Sequence, residues 1–394
     1  MFMYRNFNFK VLLESGKARV GTITTPHGSI FTPAFIFCAT KASIKSLKIQ
    51  DVQECGTQII LSNTYHLMLQ PGEQVVESLG GLHKMMGWNG PMLTDSGGYQ
   101  IFSLGYGSVS EELKGKLRKS SGTSLIKIDE SGARFRSYIN GSTYHLTPER
   151  SVEIQRKLGA DLVVVLDECT PFHTSYEYTN QSMLMSTRWA QRSLEAFKST
   201  DDGSQALYCV IQGGVYPDLR KTSCEFANNS PFFGHAIGGS LGACKQQMYD
   251  IVSLTYNMLD KTRPVHLLGI GNVIDIFHGV LQGIDTFDCV YPTRIARHGA
   301  ALVKPENRDM HGREYINLNS AKFRTSTDAI EQDCICYTCR THSKGYLHHL
   351  LKAKELLAYS LITIHNIQFM NDLMQLIRKS ISNNSLQQEL TRWS

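Results

Sequence analysis

Short apolar runs alternate with amphipathic stretches along the chain as far as about Val303. Each run has the length of a β-strand and ends at a polar or glycine-rich turn, after which the apolar positions take helical spacing. The runs cover residues 57–61, 91–94, 162–166, 206–211, 235–237, 265–268 and 287–290. Strands and helices that alternate at this density indicate a parallel sheet.

One helix can be bounded residue by residue. Thr147 suits the N-cap, Pro148 suits the first helical position, and Gly159 suits the residue after the last turn. Seven or eight strand–helix units predict an α/β fold, the (β/α)8 TIM barrel. A doubly wound open sheet is the alternative, and in both folds the polar residues at the strand ends lie on the functional rim.

The pattern changes after Val303. Residues 304–345 are polar and hold a cluster of cysteines, and residues 345–376 carry apolar side chains at helical spacing. We therefore divide the chain into the main part of the catalytic barrel at 1–303, a zinc-binding subdomain with closing helices at 304–380 and a C-terminal tail at 381–394.

Composition narrows the class of protein. Hydrophobic residues make up 42% and charged residues 19% of the 394 positions, which is enough for a sizeable core. The net charge of +5 permits a nucleic-acid partner without requiring one. The chain lacks the run of about 18 apolar residues that a membrane span needs, lacks the apolar core of a signal peptide, and scatters seven of its ten cysteines. We expect a cytoplasmic protein without a membrane segment.

Cys334, Cys336 and Cys339 place three thiols within six residues. Three thiolates and one imidazole form the closed shell of a structural zinc site, whereas free thiols beside an unrelated histidine are the simpler alternative. The spacing favours zinc. It leaves the histidine open, because His365 lies in the helical stretch and His348 is nearer to the cluster.

Two aspartates stand out among the strand ends. Asp95 follows an apolar run and begins a turn with two glycines, which let the backbone approach a ligand, and with Tyr99, which can stack on a flat molecule. An ordinary turn with a helix-capping aspartate explains the same residues. Asp288 differs, because it lies within an apolar run, where a carboxylate is costly unless it is paired, hydrogen-bonded or used.

Asp167 and Gln212 end two further apolar runs. A carboxylate and an amide can together match the donors and acceptors of a purine-like base, although each could equally be a satisfied residue of the rim. Between Arg294 and Arg324 seven basic residues stand against three acidic ones, nearly the whole excess of positive charge. This stretch is either a solvated surface or an edge that holds phosphates beside the site.

Longer stretches of the chain carry a more specific pattern. They read SNTYHLMLQPG (62–72), LTDSGGYQIFSL (93–104), LTPERSVEIQRKLGADLVVVLDECTP (146–171), VIQGG (210–214), AIGGSLG (236–242), LLGIGN (267–272), GIDTFDCVYPTR (283–294) and the three cysteines with a distant histidine. Their order and spacing resemble the bacterial-type tRNA-guanine transglycosylase family over most of the chain. The resemblance implies a (β/α)8 barrel that carries a zinc subdomain.

The resemblance also implies roles for single residues. Asp288 corresponds to the nucleophile and Asp95 to the general acid/base, which Asn63 supports. The pocket for the exchanged base, with Tyr99 stacking on it, corresponds to Asp95, Ser96, Gly97, Gly98, Tyr99, Asp167, Gln212 and Gly239. The segments that contact the anticodon loop correspond to Gly269, Ile270, Gly271, Asn272, Val273, Ile274, Asp275, Thr293, Arg294, Ile295, Ala296 and Arg297. The zinc ligands correspond to Cys334, Cys336, Cys339 and His365.

The implied reaction exchanges the wobble guanine, position 34 of tRNAs with GUN anticodons, for queuine or its precursor preQ1 in queuosine modification. It proceeds through a covalent ribosyl-enzyme that keeps the energy of the first bond, so we expect no nucleotide or redox cofactor. The resemblance also implies one structural zinc ion per subunit. The implied partners are the tRNA anticodon loop, the free deazaguanine base and a second copy of the chain, with the zinc subdomain near the homodimer interface.

The chain departs from its bacterial relatives at Gly242 and Cys244, where they usually have valine and glutamate. The missing acid leaves open how the peptide between Ser240 and Leu241 is held. The small Gly242 leaves room for a larger base, and we therefore expect the chain to accept queuine and to use it better than preQ1.

Three other functions compete with this interpretation. A non-catalytic zinc-containing tRNA-binding subunit of the same family is disfavoured because both Asp95 and Asp288 are present. A zinc-stapled RNA-binding protein without enzymatic activity would bind tRNA and exchange no guanine. An unrelated (β/α)8 glycosidase would need a sugar-binding rim rich in tryptophan, and the chain has three Trp in all.

Overall fold

A closed barrel of eight parallel strands forms the centre of the computed structural model, which describes residues 4–101 and 125–394. In chain order the barrel strands are Ala34–Cys38, Ile60–Ser62, Met92–Thr94, Leu162–Val164, Ala206–Ile211, Gly234–Ile237, Val265–Leu267 and Thr286–Cys289. The eighth strand pairs with the first and closes the ring. The predicted (β/α)8 barrel is confirmed, and the doubly wound open sheet is wrong.

Seven of these strands coincide with the predicted apolar runs, within a few residues at each end. The first strand, Ala34–Cys38, was not predicted. All five of its residues are buried, as expected for a parallel strand that is covered on both faces. It follows the antiparallel strands Asn8–Ser15, Ala18–Thr25 and Gly28–Thr32. The sequence before it therefore lacks the alternation of strands and helices that marks the other seven.

Helices connect the barrel strands along the chain. They cover Ile49–Glu54, Thr64–Leu69, Glu73–Ser78, Gly81–Met86, Pro148–Leu158, Tyr176–Ser199, Pro217–Asn229, Lys245–Met258, Val273–Leu281 and Tyr291–Ala296. The predicted boundaries of Pro148–Leu158 are confirmed, because the Thr147 hydroxyl accepts from the Arg150 N–H at 3.1 Å and Gly159 has a φ of +77°. Within the two described segments, no helix is both long and apolar enough to cross a lipid bilayer.

The N-terminal antiparallel sheet is tied to the amino ends of the barrel strands. Arg19 on this sheet donates to both carboxylate oxygens of Asp285, at 2.9 and 2.6 Å, and both side chains are buried. Asp285 directly precedes the eighth barrel strand. A second antiparallel sheet, Leu125–Asp129, Gly132–Arg136 and Thr143–Leu146, follows the third barrel strand in the sequence. The carboxyl ends of the strands therefore lie on the barrel face opposite the Arg19–Asp285 pair.

The chain after the barrel forms small elements around one long helix. They are the paired strands Ala300–Leu302 and Tyr315–Asn317, the 3-10 turns Pro305–Asn307 and Ala321–Phe323, and the helices Tyr337–Thr341, Lys344–Lys352, Leu357–Ser382 and Leu386–Trp393. The predicted helical stretch at 345–376 is therefore two helices, separated by residues 353–356, where Lys354 has a φ of +59°. The proposed divisions after residues 303 and 380 stay a prediction.

The helix Leu357–Ser382 joins the C-terminal elements to the barrel. It packs against the first barrel strand, against the N-terminal sheet and against the short helices of the C-terminal part. The last helix, Leu386–Trp393, packs on Val273–Leu281 and buries the indole of Trp393. Residues on one long helix therefore contact both the barrel core and the cysteine cluster.

Candidate active site

The carboxyl ends of the barrel strands, here called the carboxyl rim, gather the predicted polar residues in one place. Asn63, Asp95, Asp167, Gln212, Gly239 and Gly269 follow the second to seventh strands, Asp288 is the penultimate residue of the eighth, and Cys38, which was not predicted, ends the first. A barrel of parallel strands brings all its carboxyl ends to one face. The carboxyl rim is therefore the candidate active site.

Asp95 is held by the start of the neighbouring helix. The Thr64 N–H donates to its Oδ1 at 2.9 Å, and the Asn63 side-chain amide donates to its Oδ2. Asn63 is itself fixed as the helix N-cap, because its Oδ1 accepts from the His66 N–H at 2.9 Å. Burial raises the pKa of Asp95 to about 7, with a further rise from the charge of Asp288, while the donors Thr64 and Asn63 oppose the rise. Near neutral pH this carboxyl group can both give and take a proton.

Asp288 lies across the carboxyl rim from Asp95, near enough for its charge to act on the pKa of Asp95. Its Oδ1 accepts from the Gly269 N–H at 2.9 Å and lies 3.1 Å from Nε2 of His266. Its Oδ2 lies 3.9 Å from Sγ of Cys38. Burial, and then the charges of the nearby acids, raise the pKa of the Cys38 thiol, which is therefore a neutral neighbour.

Asp167 and Gln212 form one polar pair. The Gln212 amide donates to Asp167 Oδ2 at 2.6 Å, and burial raises the pKa of Asp167 to about 6. The other end of the amide, Gln212 Oε1, is buried and has no hydrogen-bond partner among the described residues. Gly239, at a φ of +76°, lies next to that oxygen, and a Cβ at this position would be only 2.3 Å from it. Because glycine lacks a Cβ, no side chain at position 239 covers the oxygen. The pair can therefore exchange hydrogen bonds with the edge of a flat base.

The glycines of the turn after Asp95 pack within the protein. A Cβ on Gly98 would lie 2.6 Å from the backbone oxygen of Asp167, and Gly97 takes a φ of +84° beside the backbone of Tyr65. Gly98 thus allows the third and fourth strand ends to meet, and Gly97 allows the same turn to approach the helix after the second strand. The sequence-based prediction of ligand approach did not anticipate this packing. Tyr99, 41% exposed, remains at the surface of this turn, and its stacking role stays a prediction. Residues 102–104 of the matching stretch lie outside the described residues.

Arg220 holds the loops that follow the fifth and sixth strands. This buried guanidinium donates to the carbonyl oxygens of Ile211 at 2.9 Å, Gly214 at 2.8 Å, Gly238 at 3.0 Å and Ser240 at 3.3 Å. The last of these bonds holds the peptide between Ser240 and Leu241. The absence of a glutamate at position 244 had left open how this peptide is held. Further along the loop, the Ala243 N–H donates to Oε1 of Gln247 at 3.0 Å.

The two segments predicted to contact RNA are only partly accessible. Gly269 and Arg294 are exposed, Ile270, Asn272, Ile274, Ile295 and Arg297 are half-buried, and Gly271, Val273, Asp275, Thr293 and Ala296 are buried. The carboxylate of Asp275 accepts hydrogen bonds from Lys245 and Tyr249, at 2.9 and 2.6 Å. Contact between these segments and RNA stays a prediction, and the exposed members are the ones that can make it.

The cysteine cluster has the geometry of a tetrahedral metal site. Nδ1 of His365 lies 3.6, 3.8 and 3.3 Å from the sulfurs of Cys334, Cys336 and Cys339. A zinc ion with bonds of about 2.3 Å to sulfur and 2.0 Å to nitrogen separates these atoms by about 3.5 Å. Nε2 of His365 donates to the Leu302 carbonyl at 2.8 Å, which turns Nδ1 toward the thiols. These four side chains can hold a metal ion and fit zinc.

His348 is not part of this cluster, since its Nδ1 faces the carbonyl of Leu318 at 2.8 Å. A second group, His27, His83 and Asp161, lies at the amino end of the fourth strand. The two imidazoles there stack with centroids 3.6 Å apart and planes 14° from parallel. Nitrogen lone pairs in stacked rings do not converge on one ion, so we interpret this group as a hydrogen-bonded cluster.

Sequence reasoning missed three residues of the carboxyl rim, namely Cys38, Arg220 and His266. His266 carried the clearest signal, because it is a histidine inside the apolar run 265–268. The structure buries its ring completely and points it at Asp288.

Comparison with known proteins leads to a single family. The profile of the family described as queuine tRNA-ribosyltransferase matches residues 14–394. The chain is 45% identical over 385 residues to the queuine tRNA-ribosyltransferase of Roseiflexus sp. (strain RS-1), covering 95% of each chain. It is 44% identical over 377 residues to that of Protochlamydia amoebophila (strain UWE25), again 95% of each chain. With that of Thermoanaerobacter sp. (strain X514) it shares 42% over 370 residues, 94% of this chain and 91% of the relative.

Proposed function

Because the chain belongs to the queuine tRNA-ribosyltransferase family, an enzyme family of pentosyltransferases, we propose that it is a tRNA-guanine(34) transglycosylase that inserts a deazaguanine base in queuosine formation. The observation that carries the proposal is the pair Asp95 and Asp288, two interacting carboxyl groups on the carboxyl rim. The test is incorporation of labelled guanine into a tRNA with a GUN anticodon by the full chain. Binding of that tRNA without incorporation would favour a non-catalytic subunit.

The polar pair Asp167–Gln212 suits recognition of guanine. In the proposed complex the wobble nucleotide leaves its stack and enters the carboxyl rim. Guanine offers N–H donors along one edge and an oxygen acceptor beside them, which a carboxylate and an amide can match. Tyr99 then covers the face of the base.

The proposed chemistry proceeds through a covalent ribosyl-enzyme. The Asp288 carboxylate forms a bond to C1′ of the ribose as the bond from C1′ to guanine breaks, and guanine takes a proton from Asp95. The incoming deazaguanine loses a proton to Asp95 and displaces the carboxylate from C1′. Two inversions retain the configuration, as in retaining glycosidases. The energy of the first bond is kept in the intermediate, so the exchange requires no nucleotide or redox cofactor.

The rate of adduct formation should depend on pH through Asp95. Departure of guanine needs the protonated carboxyl, whose pKa is about 7. We therefore expect kcat/KM for tRNA to fall about tenfold per pH unit above that value. The Asp95→Asn variant should lose roughly 10²- to 10⁴-fold in rate and the alkaline limb with it. An unchanged alkaline limb in this variant, measured by single-turnover trapping of the adduct, would assign the proton to another group.

The proposed physiological base is queuine, and Gly242 is the basis for this choice. Gly242 has a φ of +125°, and a Cβ there would lie 2.7 Å from the Gln247 side chain, which accepts from the Ala243 N–H. A bulky residue at this position must displace Gln247 and the loop beside Gly239. Glycine lets Gln247 and this loop keep their positions, and we propose that the loop in this position accommodates the larger substituent of queuine.

Gly242→Val should discriminate between the two bases. We expect incorporation of queuine to fall roughly 10- to 100-fold, because overpacking of this loop costs about 1–3 kcal/mol, and incorporation of preQ1 to fall less. Gly242→Ala is the matched control, since alanine shares the cost of the positive φ and the close Cβ contact with Gln247 but lacks the two methyl groups of valine. Competition of queuine and preQ1 for one tRNA provides the measurement. A wild-type preference for preQ1 would contradict the proposed base.

The proposed partners follow from the same site. The anticodon loop approaches the carboxyl rim along the exposed Gly269 and Arg294, at the start of the basic stretch that extends to Arg324. We assign zinc to the cysteine cluster as a structural ion, because four protein ligands leave no coordination position for a substrate. A homodimer with the zinc subdomain near its interface completes the proposed assembly.

A further inference from the structure

We propose that His266 is a positioning residue for the nucleophile, which holds one oxygen of Asp288 so that the other oxygen faces the ribose. The inference rests on the proposed function, since it assigns a task within the covalent step. None of the roles implied by the family resemblance falls on His266. The contacts of its ring carry the argument.

The register of two barrel strands sets this contact. His266 on the seventh strand lies beside Thr286 on the eighth. Thr286 and Asp288 project to the same side of their strand, because side chains alternate, while Phe287 between them faces the helix Val273–Leu281. The imidazole therefore spans two side chains, with Nδ1 2.9 Å from the Thr286 hydroxyl and Nε2 3.1 Å from Asp288 Oδ1.

The partners of the ring determine where its proton lies. A carboxylate only accepts, so Nε2 carries the hydrogen that is donated to Asp288. In the neutral ring Nδ1 then accepts from the Thr286 hydroxyl. The ring is fully buried, so packing leaves it no alternative position. Thr286 thus fixes the tautomer and orientation of His266, and His266 fixes Asp288.

The two oxygens of Asp288 are thereby made different. Oδ1 receives two donors, the His266 ring and the Gly269 N–H at 2.9 Å. Oδ2 has only the weak 3.9 Å contact with the Cys38 thiol among the described residues. A carboxylate anchored through one oxygen cannot rotate freely about its last bond. Oδ2 is therefore the oxygen presented for bond formation.

The same donors serve both halves of the exchange. In the first half Oδ2 bonds to C1′, and the electron pair of the broken bond leaves with guanine, which takes its proton from Asp95. In the second half the ester opens and the negative charge returns to Asp288, where the donors on Oδ1 stabilise it. Among the residues that the structure describes, the other ionisable groups that interact with this carboxylate include Asp95, Cys38 and Cys289.

The experiment measures single-turnover formation of the covalent tRNA adduct against pH in the full chain. His266→Leu should slow this step roughly 10- to 100-fold, the effect of losing a hydrogen bond to a charged group. Affinity for tRNA should be unchanged. The acidic limb of the profile should move to higher pH, because the ionised carboxylate has lost a donor. His266→Gln, which retains an amide donor, should recover most of the rate.

Two further variants separate positioning from folding. Thr286→Val removes only the hydroxyl that orients the ring and should give an intermediate rate. If His266→Leu does not fold, this variant decides: a slower step with a shifted acidic limb supports the inference, and a wild-type profile overturns it. His235→Leu is the matched control, since His235 is also fully buried on a barrel strand and its ring nitrogens have no partner within the described segments.

The outcomes also separate this inference from the proposed function. A wild-type chain that exchanges no guanine contradicts the function itself. A wild-type chain that exchanges guanine, together with a folded His266→Leu variant of equal rate and unshifted acidic limb, contradicts the role of His266 alone.

Discussion

Replacing Asp288 with asparagine should abolish guanine exchange, by at least about 10⁴-fold, and leave tRNA binding intact. An amide nitrogen or oxygen does not form the ribosyl ester that a carboxylate forms. The change preserves size, and the oxygen of asparagine can still accept from the Gly269 N–H, which lies 2.9 Å from Oδ1 in the unmodified chain. The loss should therefore lie in the chemical step. It is measured by trapping the tRNA adduct on a denaturing gel and by equilibrium tRNA binding on the same preparation.

The matched control for this change is Asp250→Asn. Asp250 is an exposed aspartate on the helix Lys245–Met258, where the Gln246 amide donates to it at 2.9 Å. It is not one of the residues of the carboxyl rim. It should exchange guanine at the wild-type rate. If the Asp288→Asn variant formed the adduct at a normal rate, another residue would have to be the nucleophile. The family resemblance offers no candidate for that role.

Much of this site could be predicted because a barrel converts sequence order into spatial convergence. Asp95, Asp167 and Gln212 each follow or end a separate apolar run, and Asp288 lies within another. Parallel strands bring their carboxyl ends to one face whatever their separation along the chain. The cysteine spacing is a local signal of the same kind, readable without any tertiary information. The spacing alone could not identify the histidine ligand. His365 lies on the long helix Leu357–Ser382, and only the packing of that helix brings its ring to the thiols.

The residues that sequence reasoning missed act across strands. Arg220 lies on the helix Pro217–Asn229 and bonds four carbonyl groups from two loops, and its partners are backbone atoms that leave no trace in residue identity. His266 depends on the register between the seventh and eighth strands, which an apolar run does not specify. The first strand was missed for a related reason. Its residue Ile36 pairs with Asp288 of the eighth strand, which is distant in sequence.

Loss of the proposed zinc site should have the largest effect on stability. A structural zinc ion contributes on the order of 10 kcal/mol of apparent binding free energy, which is comparable with the stability of a whole domain. Here the cluster joins residues 334–339 to His365, and His365 lies on the helix that packs against the first barrel strand. Cys336→Ser should therefore remove the bound metal, loosen the C-terminal elements and destabilise their contact with the barrel. Zinc content by mass spectrometry, Tm and limited proteolysis of the full chain measure these effects.

Cys224→Ser is the control, because Cys224 is a buried cysteine outside the cluster, 3.9 Å from the Thr255 carbonyl. It should keep one zinc ion per chain. The Cys336→Ser chain should lose tRNA affinity or self-association, while any fraction that remains folded forms the adduct at the normal rate. We expect this because the proposed structural role of the cluster concerns the surface beside the basic stretch. Asp95 and Asp288 lie at the ends of barrel strands that contain none of the four residues of the cluster. A metal-free protein with unchanged Tm, tRNA binding and assembly would contradict a structural role for the ion, and a selective fall in the rate of adduct formation would instead connect the cluster to the carboxyl rim.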